Sequence, residues 1–276
     1  MVDDAAPAVE TVEWEPYWQE RGGLKPGQHL SVVGPTGTGK TYTLVWFAED
    51  FESHSVLVVT KGADEMIERL VRERGWHLTR DVDDIFTADG KPGRLLRQSW
   101  GDRWEKRERP PQRIVYWPRV DSTNIDVRTD RLTVALEAFV DRAYEYCRRS
   151  KANRCFVAID ETTFAAMELN MNRRFTVVWN EGRSMGLSLG AAMQRTAWIS
   201  KSAKSAPIYV VVFDTTDPDD LADLAKMAGY YRRTGEFRLL LDGIAEHEHL
   251  LIVTRSKGRG VVRSRVVIRK HAGVES

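Results

Sequence analysis

Six short apolar runs recur along the chain, over residues 29–33, 55–60, 113–117, 154–159, 187–192 and 208–213. Each is nearly continuous in apolar character, as expected of a strand covered on both faces. Between them lie longer stretches with helical spacing, over 40–50, 64–73, 130–149, 173–185 and 219–228. In the third of these, Leu132, Val134, Leu136, Phe139, Val140 and Ala143 share one helical stripe. Strands alternating with helices predict an α/β domain with a mostly parallel sheet flanked by helices. After residue 235 the rhythm changes. Runs over 250–254 and 261–268 flank Arg-Ser-Lys-Gly-Arg-Gly at 255–260, which predicts a C-terminal β-hairpin. The expected organisation is an acidic arm (1–26), a core (27–235) and a basic hairpin and tail (236–276). A polar excursion interrupts the core at about 91–112, and no internal repeat is present.

Composition narrows the class. At 276 residues, 42% hydrophobic and 29% charged, the chain can bury a substantial core and does not read as disordered. The formal net charge of +1 hides an asymmetry. Residues 1–20 carry six acidic and no basic groups, whereas residues 250–276 carry seven basic groups against Glu275. Such a basic end suits a polyanion or a solvated tail. Two cysteines, Cys147 and Cys155, argue for a reducing compartment and against a disulfide framework. No leader and no apolar run of membrane-spanning length is read from the sequence, so the expected location is cytoplasmic, without a membrane span of its own.

The chemistry is carried by Gly34-Pro35-Thr36-Gly37-Thr38-Gly39-Lys40-Thr41, which fits the phosphate-loop pattern G-x-x-x-x-G-K-[ST]. A predicted strand precedes it and a predicted helix follows. Glycines let backbone N–H groups turn inward around phosphates, and the helix N-terminus adds partial positive charge. In this pattern Lys40 reaches the β- and γ-phosphates of ATP and the Thr41 hydroxyl ligates Mg²⁺. The run 155–159 is a second strand, ending in Asp160 and Glu161. Asp160 is expected in the Mg²⁺ shell, and Glu161 as the base that deprotonates the attacking water. The alternative for the pair is an acidic helix start at an ordinary strand end. A chain with both elements is expected to be a RecA-like (ASCE) P-loop NTPase that binds and hydrolyses ATP.

One block goes further. Residues 180–195, from Asn180 through Arg183 and Gly186 to Gln194 and Arg195, resemble the arginine–glycine–strand–Gln-Arg pattern of the HerA/FtsK superfamily of DNA-pumping ATPases. Residues 55–64, ending in Lys61, Gly62 and Asp64, are similar to that family's second strand and its Lys-Gly-acidic turn. The resemblance spans about 27–224. Two positions depart from it: Thr196 stands where the family often has proline, and Val59-Thr60 where it often has Asp-Pro. It implies that Gln194 senses the γ-phosphate or the lytic water, and that Arg183 acts as an arginine finger in a neighbouring subunit's site. Arg173, Arg174 and Arg195 compete for that role. Without the membrane segments and DNA-reading domain of chromosome translocases, the chain looks most like the ATPases that package double-stranded DNA into viral capsids. That implies a homo-oligomeric ring, pentamer or hexamer, with double-stranded DNA and a portal or capsid protein as partners, in the host cytoplasm if viral. Rival readings are a conjugation- or filamentous-phage-assembly-type ATPase acting on protein or single strands, and a non-catalytic nucleotide switch.

A DNA motor needs sequence-blind cations facing the backbone. Candidates are Lys201, Lys204, Arg232 and Arg233, together with Lys257 and Arg259 in the hairpin, each with an ordinary solvated surface as its alternative. Trp100, Arg103, Trp104 and Lys106 combine aromatics and cations within the excursion. Glu246-His247-Glu248-His249 invites a metal reading, but surface polarity is the preferred account. Trp14, Tyr17 and Trp18 either stack on adenine or staple the arm to the core, with the staple preferred.

Overall fold

The structure, a computed structural model, describes residues 9–98, 112–196, 200–245, 248–254 and 260–265. Among these, the strands are β1 (Leu30–Val33), β2 (His54–Val58), β3 (His77–Thr79), β4 (Arg113–Tyr116), β5 (Cys155–Ile159), β6 (Leu187–Met193), β7 (Tyr209–Val212), β8 (Glu248–Val253) and β9 (Gly260–Arg265). They form one sheet in the order β3-β4-β2-β5-β6-β1-β7-β8-β9. Every pairing from β3 to β7 is parallel, and β8 and β9 then pair antiparallel. The predicted hairpin is therefore present and extends the central sheet.

The helices are α1 (Trp14–Glu20), α2 (Lys40–Asp50), α3 (Glu65–Arg74), α4 (Arg94–Gln98), α5 (Ile125–Arg149), α6 (Thr162–Met167), α7 (Asn172–Met185), α8 (Lys201–Ser205), α9 (Pro218–Ala228) and α10 (Thr234–Asp242). They cover both faces, which explains the near-continuous apolar runs. Along β5, Cys155, Val157 and Ile159 join the cluster under α5, α7, α9 and α10. Phe156 and Ala158, facing the other way, join the cluster under α1, α2 and α3. Cys147 and Cys155 are buried free thiols, and burial pushes the Cys155 thiol up to about 12.

Several elements differ from the sequence expectation. Helix α5 starts at Ile125, five residues earlier than the apolar stripe indicates. Asn124 caps it, its side chain accepting from the N–H groups of Asp126 and Val127. The excursion contributes to the core: Leu95 and Leu96 of α4 are buried there, and 99–111, with Trp100 and Trp104, lies outside the described residues. Helix α10 runs across residue 235.

The N-terminal arm is tied at two places. Trp14 and Trp18 are almost fully buried, stacked at 5.6 Å, and packed edge-on to Trp46 and Phe47. Ahead of them, Thr11 bridges Arg263 of β9 in parallel, with Val12 N donating to Arg263 O and Arg263 N to Glu10 O, both at 2.9 Å. The Ser264 hydroxyl donates to Val12 O.

Candidate active site

In a parallel sheet, ligands collect at the carboxyl ends of the strands. Here β1, β6 and β5 lie side by side, with Val33 paired to Met193 and Ala191 to Ile159. The segments that follow them, beginning at Gly34, Gln194 and Asp160, emerge along one edge. Strand β6 separates the phosphate-loop strand from the acidic one, so Gln194 stands between the two halves of the site.

The loop from Gly34 to Gly39 turns by placing Gly37 at φ 85° and Gly39 at φ 102°, conformations that suit glycine. A Cβ on Gly34 would meet Phe213 Cβ and Thr38 Oγ1, each at 2.9 Å, so the loop start must also be bare. Thr38 Oγ1 donates to Pro35 O at 2.9 Å, and Lys40 Nζ donates to the same carbonyl at 2.6 Å. Helix α2 starts on Gly39 with no side-chain cap, whereas α3, α5 and α9 are capped by Asp64, Asn124 and Asp217. Its first-turn N–H groups therefore face the loop, the arrangement that binds phosphate.

Opposite the loop, Thr41 Oγ1 donates to Asp160 Oδ1 at 2.9 Å, bringing the two expected metal-shell residues into contact. One hydroxyl and one carboxylate, completed by phosphate oxygens and water, is a donor set that Mg²⁺ accepts. The residues present therefore fit both ATP and Mg²⁺. Glu161 has φ 64° and ψ 45°, a left-handed conformation that costs a non-glycine residue about 1–2 kcal/mol. This twist ends β5 and starts α6 within one residue. The Glu161 side chain stays partly accessible in the cleft, and Gln194 Nε2 donates to its Oε2 at 3.4 Å.

Lys61, which the sequence reading placed only within a turn resemblance, is a full member of the site. Its Nζ lies 2.9 Å from Asp160 Oδ2 and 3.4 Å from Glu161 Oε1. Burial alone would lower its pKa, but the hydrogen bond and charge of Asp160, with the charge of Glu161, raise it above the ordinary lysine value. Lys40 goes the other way: burial lowers its pKa, against the pull of Asp160 and Glu161. The signal for Lys61 was a lysine directly after a buried strand, but its partners sit about a hundred residues away and only the β2–β5 pairing brings them close.

The cleft holds about 540 Å³ and is lined by loop residues Thr36 to Thr43 and by Lys61, Asp64, Met66, Asp160, Glu161, Phe213 and Arg265. Tyr42, Met66 and Phe213 give it apolar surface of the kind a nucleotide base can use. Trp14, Tyr17 and Trp18 are not among these residues, and the two tryptophans belong to the core beneath α2. Their role is the staple.

The remaining candidates fall elsewhere. Arg183 is exposed at the last turn of α7 and does not line the cleft. Arg174 is engaged by Glu137 and Asp141, and Arg195 by Asp217 and fully buried Asp220, so both are held within the chain. Lys201, Arg232 and Arg233 are exposed, Arg233 pairing with Glu236, whereas Lys204 bonds Asp223 of α9. Lys257 and Arg259 lie outside the described residues, as does His247. His249 corrects the expectation of surface polarity. It is fully buried, with its ring centroid 5.0 Å from Trp14 and 5.7 Å from Phe213, and burial lowers its pKa to about 3. Its place on β8, a strand inside the sheet, leaves no surface for it to face.

Fold and cleft together define a P-loop NTPase. No protein-family model matches the chain, and neither does any curated protein. Solved structures do. The genome packaging NTPase B204 of Sulfolobus turreted icosahedral virus 2, in complex with sulfate, aligns over 90% of this chain and all of its own, with TM-score 0.54 and 12% identity. The same protein is also similar in complex with AMPPCP and with ATP-gammaS. VirB4 of Thermoanaerobacter pseudethanolicus aligns over 89% of this chain and 96% of its own, with TM-score 0.58 and 10% identity. In fold, then, the chain resembles a viral genome packaging NTPase and VirB4.

Proposed function

We propose that this chain hydrolyses MgATP and uses the energy to drive double-stranded DNA, as a genome-packaging subunit of a homo-oligomeric ring in the cytoplasm. The observation that carries the hydrolytic part is the convergence of Lys40, Thr41, Asp160, Glu161 and Gln194 at the tips of three adjacent strands. The uncapped start of α2 and Lys40 bind the phosphates. Thr41 and Asp160 would hold Mg²⁺, which supplies charge neutralisation on the phosphates when bound. Glu161 takes a proton from water as its oxygen attacks the γ-phosphorus, and the bond to the ADP oxygen breaks. Gln194, bonded to Glu161, orients the base and the water. Arg183, exposed and outside its own cleft, would serve a neighbour's site in trans.

The likeness to a viral packaging NTPase supports the DNA-packaging part, and exposed Lys201, Arg232 and Arg233 are the cations offered to the DNA backbone. A portal or capsid protein would complete the machine. The test is steady-state ATPase rate with and without long double-stranded DNA, at low and moderate salt, for wild type and Glu161→Gln. The reading expects stimulation that fades with salt, as backbone contacts do, and a loss of at least about a hundredfold in the variant with nucleotide binding retained. Turnover that ignores nucleic acid would instead favour a protein-directed ATPase.

A further inference from the structure

Lys61 is a movable charge on a fixed stem. Its carbonyl accepts from Trp117 Nε1 at 2.7 Å, and the next residue, Gly62, packs beneath the Arg128 guanidinium. The side chain beyond that anchor is 40% exposed and reaches three carboxylates: Asp160, Glu161 and, at 3.7 Å, Asp64. Asp64 caps α3 through Oδ1, which accepts from Met66 N and Ile67 N, and its Oδ2 is the most distant of the three from the ammonium. Asp160 and Glu161, at 2.9 and 3.4 Å, are the nearer partners. The two oxygens of Asp160 are divided, Oδ1 taking the Thr41 hydroxyl proton and Oδ2 the lysine. A divalent cation held by Thr41 and Asp160 would face that ammonium across one carboxylate, and two cations there repel.

We infer that Lys61 is an internal counter-ion that competes with the divalent cation for Asp160 and restrains Glu161 until metal–nucleotide enters. This rests on the ATPase reading of the same cleft. Lys61 neutralises two adjacent carboxylates that would otherwise repel each other, and its exposed side chain lets it leave when a stronger charge arrives. It is a positioning residue: it acts on the base and on the metal ligand.

The test titrates Mg²⁺ into the full chain at a fixed concentration of a fluorescent, non-hydrolysable ATP analogue, for wild type, Lys61→Met and Lys61→Arg. Removing the competitor lowers the half-saturating Mg²⁺ concentration about fivefold in Lys61→Met, the size a half-exposed ion pair gives, and Lys61→Arg returns it towards wild type. An unchanged or higher Mg²⁺ requirement in Lys61→Met overturns the inference while leaving the ATPase reading intact. So does a parallel loss of analogue binding with and without metal, which is what a merely structural lysine would give. Should Lys61→Met not fold, Lys61→Gln is read by the same criteria. A wild-type chain that binds no analogue at any Mg²⁺ concentration overturns both.

Discussion

Replacing Trp18 with alanine separates the staple from a nucleotide contact. The indole is 1% exposed, stacks on Trp14, and meets Phe47 and Tyr209 edge-on, both at 4.8 Å. Its Nε1 donates to Asp50 Oδ2 at 2.6 Å, on the last residue of α2. Truncating a buried tryptophan costs about 3–5 kcal/mol. Aromatic pairs add about 0.5–1.5 kcal/mol each beyond their area, although pairs sharing one ring do not sum. The hydrogen bond to Asp50 pushes the loss to the upper end, about 5 kcal/mol, a large share of the roughly 5–15 kcal/mol that holds a domain together. For a chain of this size the thermal midpoint should fall by about 10–20 °C. Trp18→Phe, which keeps a ring in the cluster, should lose less than half as much. The assays are thermal and urea unfolding, with analogue binding measured at a temperature where the variant is folded. The cluster lies under α2 and outside the cleft, so binding should stay within about twofold. A stability loss under about 1.5 kcal/mol, or a folded variant that binds nucleotide tenfold more weakly, would refute the staple.

Arg195→Ala should cost about 3 kcal/mol in urea unfolding, because it strands the fully buried carboxylate of Asp220, which also holds Thr196 N and Oγ1. An effect on turnover with unchanged stability would instead reinstate Arg195 as a finger. Gln194→Ala should lower kcat about tenfold or more with little change in nucleotide affinity, since its amide faces the base and not the loop. A rise in KM alone would contradict its placement. Acid should destabilise the fold through His249 and His54, whose pKa values burial lowers to about 3 and about 4. Both are held neutral in the folded chain, so their contribution is complete above the unfolded value of about 6.5 and is lost as pH falls below it. The expected slope is about 1.4 kcal/mol per pH unit for each histidine. His249→Leu should flatten that slope by about half, and an unchanged slope in urea titrations across pH 6.5 to 4.5 would refute the assignment.

Local codes were the most legible. The phosphate loop announces itself because its glycines, lysine and threonine act on one ligand within eight residues, and six of the seven parallel strands because burial on both faces makes them apolar throughout. The start of α5 was hidden because its first turns carry exposed Ile125 and Val127, which break the stripe that marks the rest. Strand β3 is three residues long with His77 and Leu78 exposed, so it has no apolar run to read. Helix α10 begins on Arg233, whose side chain makes no cap, and its entry carries no marker. His249 misled for the opposite reason. Next to Glu246, His247 and Glu248 it looks polar, and only the antiparallel pairing of β8 between β7 and β9 carries it inside. Lys61 belongs to the same class as His249: its neighbours are set by the order of strands in the sheet, which no stretch of sequence spells out.

The attachment of the arm to β9 has a mechanical side. The arm runs parallel to the strand it meets, and its three hydrogen bonds lie side by side along that direction. Tension along the strand axis loads all three together, in shear, whereas a pull across the sheet would peel them one after another. From the arm's bridge to β9, three hydrogen-bonded ladders lead through β8 and β7 to β1, the strand that carries the phosphate loop. An axial load on residues 10–12 thus reaches the nucleotide cleft along a continuous path of backbone hydrogen bonds, which the Ser264 hydroxyl reinforces at the arm.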